Sequence, residues 1–258
     1  MPKKSREYDS QKIMIPFRQE GLPTLTEEDM REVDRSMIEE YGIELIQMME
    51  NAGRNLARLL RERFLKGDPR GRRVAVLAGP GGNGGGAIVS ARHLHNWGAS
   101  VDLIISRPEE DFKPVSRKQL DIVRRMEVPL HRPETAGRIG EVSAIIDGLI
   151  GYGLKGAPKD EAADLIRWAN GRDEPICSLD IPSGIGSTEG AVYDPTVRAS
   201  VTMTLAMPKR GLFDPEAGAF VGELYLADIG VPPELYESMC LKIDVGPIFA
   251  EDELIRLR

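Results

Sequence analysis

Three segments of the chain combine groups able to do chemistry with glycines that let a ligand come close. The first, Gly79-Pro80-Gly81-Gly82-Asn83-Gly84-Gly85-Gly86, holds six glycines in eight residues. Glycine allows close backbone approach to a ligand and positive φ. Where such a run joins a strand to a helix, the helix N-terminus offers unpaired N–H groups and a dipole that favours an anion. Gly79, Gly81 and Gly84 match G-x-G-x-x-G, a pattern that gains weight only from that strand–loop–helix setting. The second segment runs from Asp147 to Gly156 and the third is Asp180-Ile181-Pro182-Ser183-Gly184. Both aspartates end apolar runs, where an unpaired charge is costly to bury. Each therefore needs a cation, a ring of donors or a place at the mouth of a cavity. For Asp147, capping the turn that follows is the plain alternative. Two such carboxylates beside a glycine-rich anion cradle suit a phosphate-bearing substrate, with acid–base work or a cation. Hard carboxyl, hydroxyl and amide oxygens favour an alkali or alkaline-earth ion over zinc. Lys209, in Met207-Pro208-Lys209-Arg210-Gly211, reaches a phosphate, pairs with a nearby aspartate, or is a solvated surface lysine. His93, His95 and His131 lie outside any H-E-x-x-H context and are read as structural.

The elements that must position these groups follow from periodicity. Thr26 and Asp29 form a near capping box, flanked by Leu25 and Met30 as a hydrophobic staple, and Met30, Val33 and Met37 follow helical spacing up to Gly42. A second helix is predicted from Glu44 to Phe64, its inner face marked by Leu45, Met49, Ala52, Leu56 and Leu59. The pattern then alternates. Strands are predicted over Val74–Ala78, Ser100–Ser106, Ala144–Gly151, Pro175–Gly184, Val201–Ala206 and Gly222–Gly230, with a short one in VPLHR. Helices are predicted over Ala87–Trp97, Pro114–Met126 and Asp160–Asn170. Continuously apolar strands alternating with helices predict an α/β fold with a mostly parallel sheet covered on both faces. Ligands of such sheets bind beyond the carboxyl ends of the strands, where all three segments fall.

Composition narrows the function. A length of 258 residues suits one large domain, and a net charge of −7 argues against nucleic acid as the main partner. No apolar run approaches a membrane span, and the charged start MPKKSREYDSQK lacks the apolar core of a secretory signal. Residues 1–20 read as an arm and 21–258 as the domain. Cys177 and Cys240, outside any CxxC or Cys/His cluster, read as buried thiols of a reducing, cytoplasmic setting. An NAD-dependent dehydrogenase is not favoured. The acid expected at the end of the second strand is missing; that strand ends at Ser106-Arg107, and Arg107 suits a phosphate instead.

Together the segments MENAGRNLA (Met49–Ala57), AGPGGNGGGAIVSARHL (Ala78–Leu94), DGLIGYGL (Asp147–Leu154), DIPSG (Asp180–Gly184), TMTLAMPKRGL (Thr202–Leu212) and ADIGVP (Ala227–Pro232) resemble the NAD(P)H-hydrate epimerases, the family of the YjeF N-terminal domain. The resemblance runs from about Leu22 to about Pro232. It implies a Rossmann-like three-layer αβα sandwich, a homodimer and a bound potassium ion. It also implies interconversion of the R and S forms of NADHX and NADPHX, whose nicotinamide ring is hydrated at C6. The partner repair enzyme is an NAD(P)H-hydrate dehydratase that takes the S form. On this resemblance Gly82, Asn83, Gly84, Gly85 and Gly86 bind the nucleotide. Gly151, Tyr152, Gly153, Leu154, Lys155, Gly156 and Ala157 lie along the substrate. Asn83, Asp147 and Ser183 hold potassium, and Asp180 faces the hydrated ring as the substrate-binding, acid–base carboxylate. Where the family reads GNNGGDG, this chain has Gly82 for the first Asn, Gly86 for the Asp and Ala87 for the last Gly, and Gly186 stands where another family aspartate is common. The alternative is therefore a diverged member that binds the nucleotide without turnover or acts on an altered substrate.

Overall fold

The computed structural model describes residues 15–18, 21–238 and 242–258. Helix α1 (Glu27–Glu39) opens on Thr26, whose Oγ1 accepts the Asp29 N–H at 3.2 Å while Asp29 Oδ2 accepts the Thr26 N–H at 2.9 Å. The capping box expected from the sequence is thus complete. Leu25 and Met30 are buried in one apolar cluster with Val33 and Met37. Helix α2 (Leu45–Arg63) buries Met48, Met49, Ala52, Leu56 and Leu59, while Leu45 is half-buried. There follow β1 (Arg73–Ala78), α3 (Gly82–Asn96), β2 (Ser100–Ile105), α4 (Pro114–Arg125), β3 (Leu130–His131) and β4 (Ala144–Gly148). The chain continues with α5 (Asp160–Asn170), β5 (Ile176–Leu179), β6 (Val201–Leu205), α6 (Pro215–Val221), β7 (Glu223–Ala227), α7 (Pro233–Ser238) and β8 (Leu254–Arg256). The short α6 and α7 and the last strand carry no clear periodic signal in the sequence.

The sheet runs β3-β2-β1-β4-β5-β6-β7-β8 and is parallel throughout except for the β7–β8 pair. Alternate side chains of β1 enter different cores. Val74, Val76 and Ala78 pack with α2, α3 and α4, whereas Ala75 and Leu77 pack with Leu165, Ile166 and Ala169 of α5. Burial on both faces is why the strands read as unbroken apolar runs. Strand order reverses between β1 and β4, so the connections leaving these two neighbours diverge and open a crevice at the sheet's carboxyl edge. At the outer edge strand β8, Pro16 O accepts from Arg256 N and Arg256 O from Arg18 N, which lays residues 16–18 against it. The rest of the predicted arm, residues 1–14 and 19–20, lies outside the described residues, as does Cys240; Cys177 is a buried free thiol. No described helix is long and apolar enough to cross a membrane.

Helix α3 departs from its expected start at Ala87 and begins at Gly82. The glycine run is therefore mostly helix, and no residue from Gly79 to Gly86 has positive φ. Its small size answers to packing. A Cβ at Gly84 would lie 1.7 Å from Gly79 O, one at Gly85 2.3 Å from Met49 Sδ, and one at Gly86 2.8 Å from Leu179 Cδ2. Contacts with residues far away in the chain outweigh glycine's poor helix propensity. The facing helix does the same: a Cβ at Gly53 of α2 would sit 2.4 Å from Val89 Cβ and 2.5 Å from Gly86 O. Propensity alone favours Gly53→Ala by about 1 kcal/mol. The clash with a neighbouring backbone reverses the sign, and we expect a net loss of about 1–3 kcal/mol in denaturant unfolding.

Candidate functional site

A cavity of about 510 Å³ lies at the carboxyl edge of the sheet, in the crevice where strand order reverses. Its volume falls within the usual range for small-molecule sites. One wall is apolar, from Met30 of α1 and Met48, Met49 and Ala52 of α2. The other walls are the start of α3 (Pro80, Gly81, Gly82, Asn83 and Gly86), the turn after β4 (Leu149–Gly153) and the strand ends carrying Asp180 and Lys209. Asp34, Arg31 and Lys113 complete the rim. A larger hollow of about 910 Å³ lies between α2 and the C-terminal segment, away from these groups. There Arg58 pairs with Asp252, Glu253 and Glu62, and Arg61 lies over the Trp97 ring.

Asp180 follows β5 with φ +67°, the left-handed region that costs a non-glycine residue about 1–3 kcal/mol where it is enforced. The Asp180 N–H donates to Met203 O at 2.7 Å, which holds this backbone against β6. Its carboxylate Oδ1 meets Lys209 Nζ at 2.5 Å, and the ammonium donates to Leu205 O at 2.7 Å. Lys209 is completely buried and Asp180 is 2% exposed. Of the readings open for Lys209, the structure selects pairing with an aspartate. Any Cβ at Gly151 would lie 3.4 Å from Asp180 Oδ2 and 3.0 Å from Asn83 Oδ1, so glycine there keeps both groups open to the cavity. Asn83 is itself anchored, its Nδ2 donating to Leu179 O at 2.8 Å.

Asp147 lies beneath the cavity floor and is completely buried. Its Oδ1 accepts from Ser183 Oγ at 2.6 Å and Leu149 N at 3.2 Å; its Oδ2 accepts from Ser178 Oγ at 2.8 Å and Ser183 N at 2.9 Å. These bonds join the turns after β4 and β5, and Ile150 N adds a further link to Ser183 Oγ at 2.9 Å. Burial pushes the Asp147 carboxyl above its ordinary value, opposed by these donors. No lysine or arginine pairs with it among the described residues. A buried carboxylate lacking a counter-charge and bonded to the Ser183 hydroxyl, together with the Asn83 amide oxygen beside Gly151, which accepts no hydrogen bond among the described residues, fits an oxygen-ligated monovalent cation in charge and donor type. Ser183 Oγ also lies 3.2 Å from Ile150 O, so its proton has a second acceptor if an Asp147 lone pair is needed elsewhere.

The structure thus gathers Gly82, Asn83, Gly86, Gly151, Tyr152, Gly153 and Asp180 on one cavity, with Asp147 and Ser183 immediately below. Gly84 and Gly85 are buried packing positions, and Leu154, Lys155, Gly156 and Ala157 lie off the cavity wall. Arg107, which suited a phosphate in the sequence, is held by Asp160 at 3.0 Å and Glu161 at 3.4 Å. His93 bonds Glu50, and His131 bonds Asp102, both at 2.9 Å. Sequence reasoning missed Asp34, whose Oδ2 accepts the Tyr152 O–H at 2.5 Å. Its signal was present: Asp34 sits at i+4 of the Met30, Val33, Met37 stripe, a carboxylate on the apolar face of a helix. Burial pushes the Asp34 carboxyl up, with the Asp180 charge acting in the same direction and Tyr152 and Lys209 opposing. The Tyr152 phenol is also pushed up, by burial and then by Asp34, so it stays protonated.

Residues 45–211 match the family model described as the YjeF-related protein N-terminus. The chain belongs to this family. It is 43% identical over 242 residues to a protein of Dehalogenimonas lykanthroporepellens named NAD(P)H-hydrate epimerase, with 92% of this chain and 94% of that protein covered. A protein of the same name from Rhodopirellula baltica is 32% identical, with 83% of this chain and 87% of that protein covered. The bifunctional NAD(P)H-hydrate repair enzyme Nnr of Salinibacter ruber is 34% identical over 82% of this chain, which spans only 41% of that longer protein. The crystal structure of yeast ynu0 superposes with a TM-score of 0.76 at 22% identity, over 92% of this chain and all of that one, a likeness of fold.

Removing one partner of a buried ion pair strands the other charge. We therefore expect Lys209→Met to lower unfolding free energy by about 3–5 kcal/mol. Adding Asp180→Asn to that variant is expected to recover part of the loss; denaturant melts of the three proteins check both expectations.

Proposed function

We propose that the chain epimerises the hydrated nicotinamide nucleotides NADHX and NADPHX at C6. The observation that carries this reading is the Asp180–Lys209 pair, opening on a cavity at the strand-order reversal, in a chain similar over nearly its whole length to proteins named for that activity. The C6 hydroxyl sits beside ring nitrogen N1. When the hydroxyl leaves as water, the N1 lone pair forms an N1=C6 double bond and C6 becomes planar. Return of water to the other face gives the second epimer. On the ring face it meets, Asp180 protonates a leaving hydroxyl or takes the surplus proton of an arriving water, with Lys209 compensating its charge. The methionine wall accepts the flat ring. The first turn of α3, with Gly82 and Asn83 on the cavity, presents free N–H groups to a phosphate of the nucleotide.

Potassium belongs to this reading. Asn83, Asp147 and Ser183 would hold it, and the ion would supply the positive charge that Asp147 lacks and brace the turns after β4 and β5. Within the same reading the S product passes to an NAD(P)H-hydrate dehydratase, and the protein is a cytoplasmic homodimer joined through α1 and α2. Ile38 and Tyr41 are exposed at that end; light scattering would read one or two chains.

A second reading, binding or an altered substrate, is favoured by Gly86, where the family's usual aspartate would leave a charge against Leu179. Gly186 does not line the cavity and bears on neither reading.

The deciding experiment supplies R-NADHX and potassium and couples turnover to an S-specific dehydratase that regenerates NADH. We expect acceleration over the uncatalysed rate, lost by roughly 100-fold or more in Asp180→Asn. Calorimetric nucleotide binding without acceleration would select the second reading. Potassium is tested separately: exchanging potassium for choline at constant ionic strength is expected to lower the thermal midpoint, because a bound ion stabilises only the folded state. An unchanged midpoint removes the ion from the mechanism.

A further inference from the structure

Inversion at C6 needs proton transfer on both faces of a flat ring, and Asp180 approaches from one wall. A second proton-carrying pair lines the same cavity from a different element. Asp34 projects from α1, and the Tyr152 phenol, on the turn after β4, donates to its Oδ2 at 2.5 Å. That turn spans the interval between the two carboxylates. At Gly151 it lies beside Asp180 Oδ2, at Tyr152 it bonds Asp34, and at Gly153 it passes Arg31 Nη2, 3.8 Å from where a Cβ would be. The turn is pinned in place by Ser187 Oγ, which donates to Tyr152 O at 2.8 Å. Helix α1 is fixed to the Lys209 segment by two backbone bonds, Leu25 N to Pro208 O and Arg210 N to Leu25 O, both at 2.9 Å. Asp34, Tyr152, Asp180 and Lys209 are thus held in one frame.

We infer that the Asp34–Tyr152 pair is the second proton-transfer group of the epimerisation, serving the ring face opposite Asp180. The inference rests on the epimerase reading of the site. In the outgoing step the hydrogen bond of the resting pair reverses: the protonated Asp34 carboxyl donates to the Tyr152 oxygen, and the phenol O–H turns to the C6 hydroxyl, protonates it and is replaced by the Asp34 proton. The C6–O bond breaks, the N1 lone pair forms N1=C6, and water departs. In the incoming step a water oxygen bonds to C6 from the other face, the N1=C6 pair returns to N1, and the Asp180 carboxylate takes the water's surplus proton. One proton passes from Asp34 to Asp180 per inversion, solvent resets both groups, and the reverse reaction exchanges their parts. The environments suit the division: the Asp34 carboxyl is pushed up by burial, whereas Asp180 has an ammonium against it. The groups facing Asp34 are Tyr152, Asp180 and Lys209 across the cavity, Tyr236 from α7 and Arg31 on its own helix.

The test compares wild type, Asp34→Asn and Tyr152→Phe in water enriched in oxygen-18, starting from each epimer, with inversion and label at C6 both measured above the uncatalysed rate. With the second pair disabled, Asp180 alone removes and returns water on its own face. We expect inversion to fall by roughly 100-fold or more in each variant, while one epimer still gains label without inverting. Tyr152→Phe removes only the hydroxyl, and equal thermal midpoints exclude a folding defect for that variant. Wild-type rates of inversion in both variants overturn the inference alone. Proportional loss of inversion and labelling from both epimers makes the pair structural and also overturns it. A wild-type protein that neither inverts nor labels overturns the epimerase reading itself.

Discussion

A lysine and an aspartate sealed from water at the ends of two adjacent strands constrain much of what surrounds them. Each charge loses several kcal/mol of hydration, recovered only at contact distance and with the remaining donors satisfied. The structure meets these terms with backbone. Asp180 is turned into the left-handed region beyond β5, so its carboxylate faces Lys209, and the Leu205 carbonyl takes another proton of the ammonium. Leu25 pairs with residues 208 to 210, which brings α1 against the strand ends and Asp34 to the rim of the cavity. The cavity owes its shape to the same arrangement that buries the pair.

The two strand-end aspartates reach different solutions to the same burial problem. Asp147 is surrounded by neutral donors, two serine hydroxyls and two backbone amides, and it ties neighbouring turns together. Asp180 is matched by a full charge on one oxygen, and its other oxygen faces the cavity. A carboxylate ringed by its own protein's donors ties turns together and keeps away from the cavity, whatever ion it also holds. One with an oxygen facing an open space is placed to exchange protons with a ligand. The cavity repeats this division between its walls, with methionines from α1 and α2 opposite the polar strand ends. Methionine side chains adapt to a flat ring without demanding one contour, while the polar side fixes its orientation.

Much of the fold was legible in the sequence. Strands buried on both faces must be apolar at every position, and helices between them keep a one-sided stripe, so the alternation announced a parallel sheet covered on both sides. The Thr26 and Asp29 capping box was legible because its partners are three residues apart. Asp147 and Asp180 were singled out because charged groups at the ends of apolar strands need a reason to be there, and Asn83 and Ser183 took their place beside them through the family resemblance. The start of α3 was not legible. Glycine reads locally as a loop, and the contacts that require it at Gly85 and Gly86 come from Met49 and Leu179.

By itself, then, the sequence determined the element types, the parallel sheet, the family and the set of polar residues from which a site is built, because those depend on local periodicity and short motifs. Only the tertiary structure decided which of them meet. It joined Lys209 to Asp180, closed Asp147 beneath the floor, withdrew Arg107 into a pairing with Asp160 and Glu161, and carried Asp34 to Tyr152 across a separation of 118 residues. The partner of a charge depends on strand order and on the packing of helices over strand ends, and neither is written in the spacing of residues along the chain.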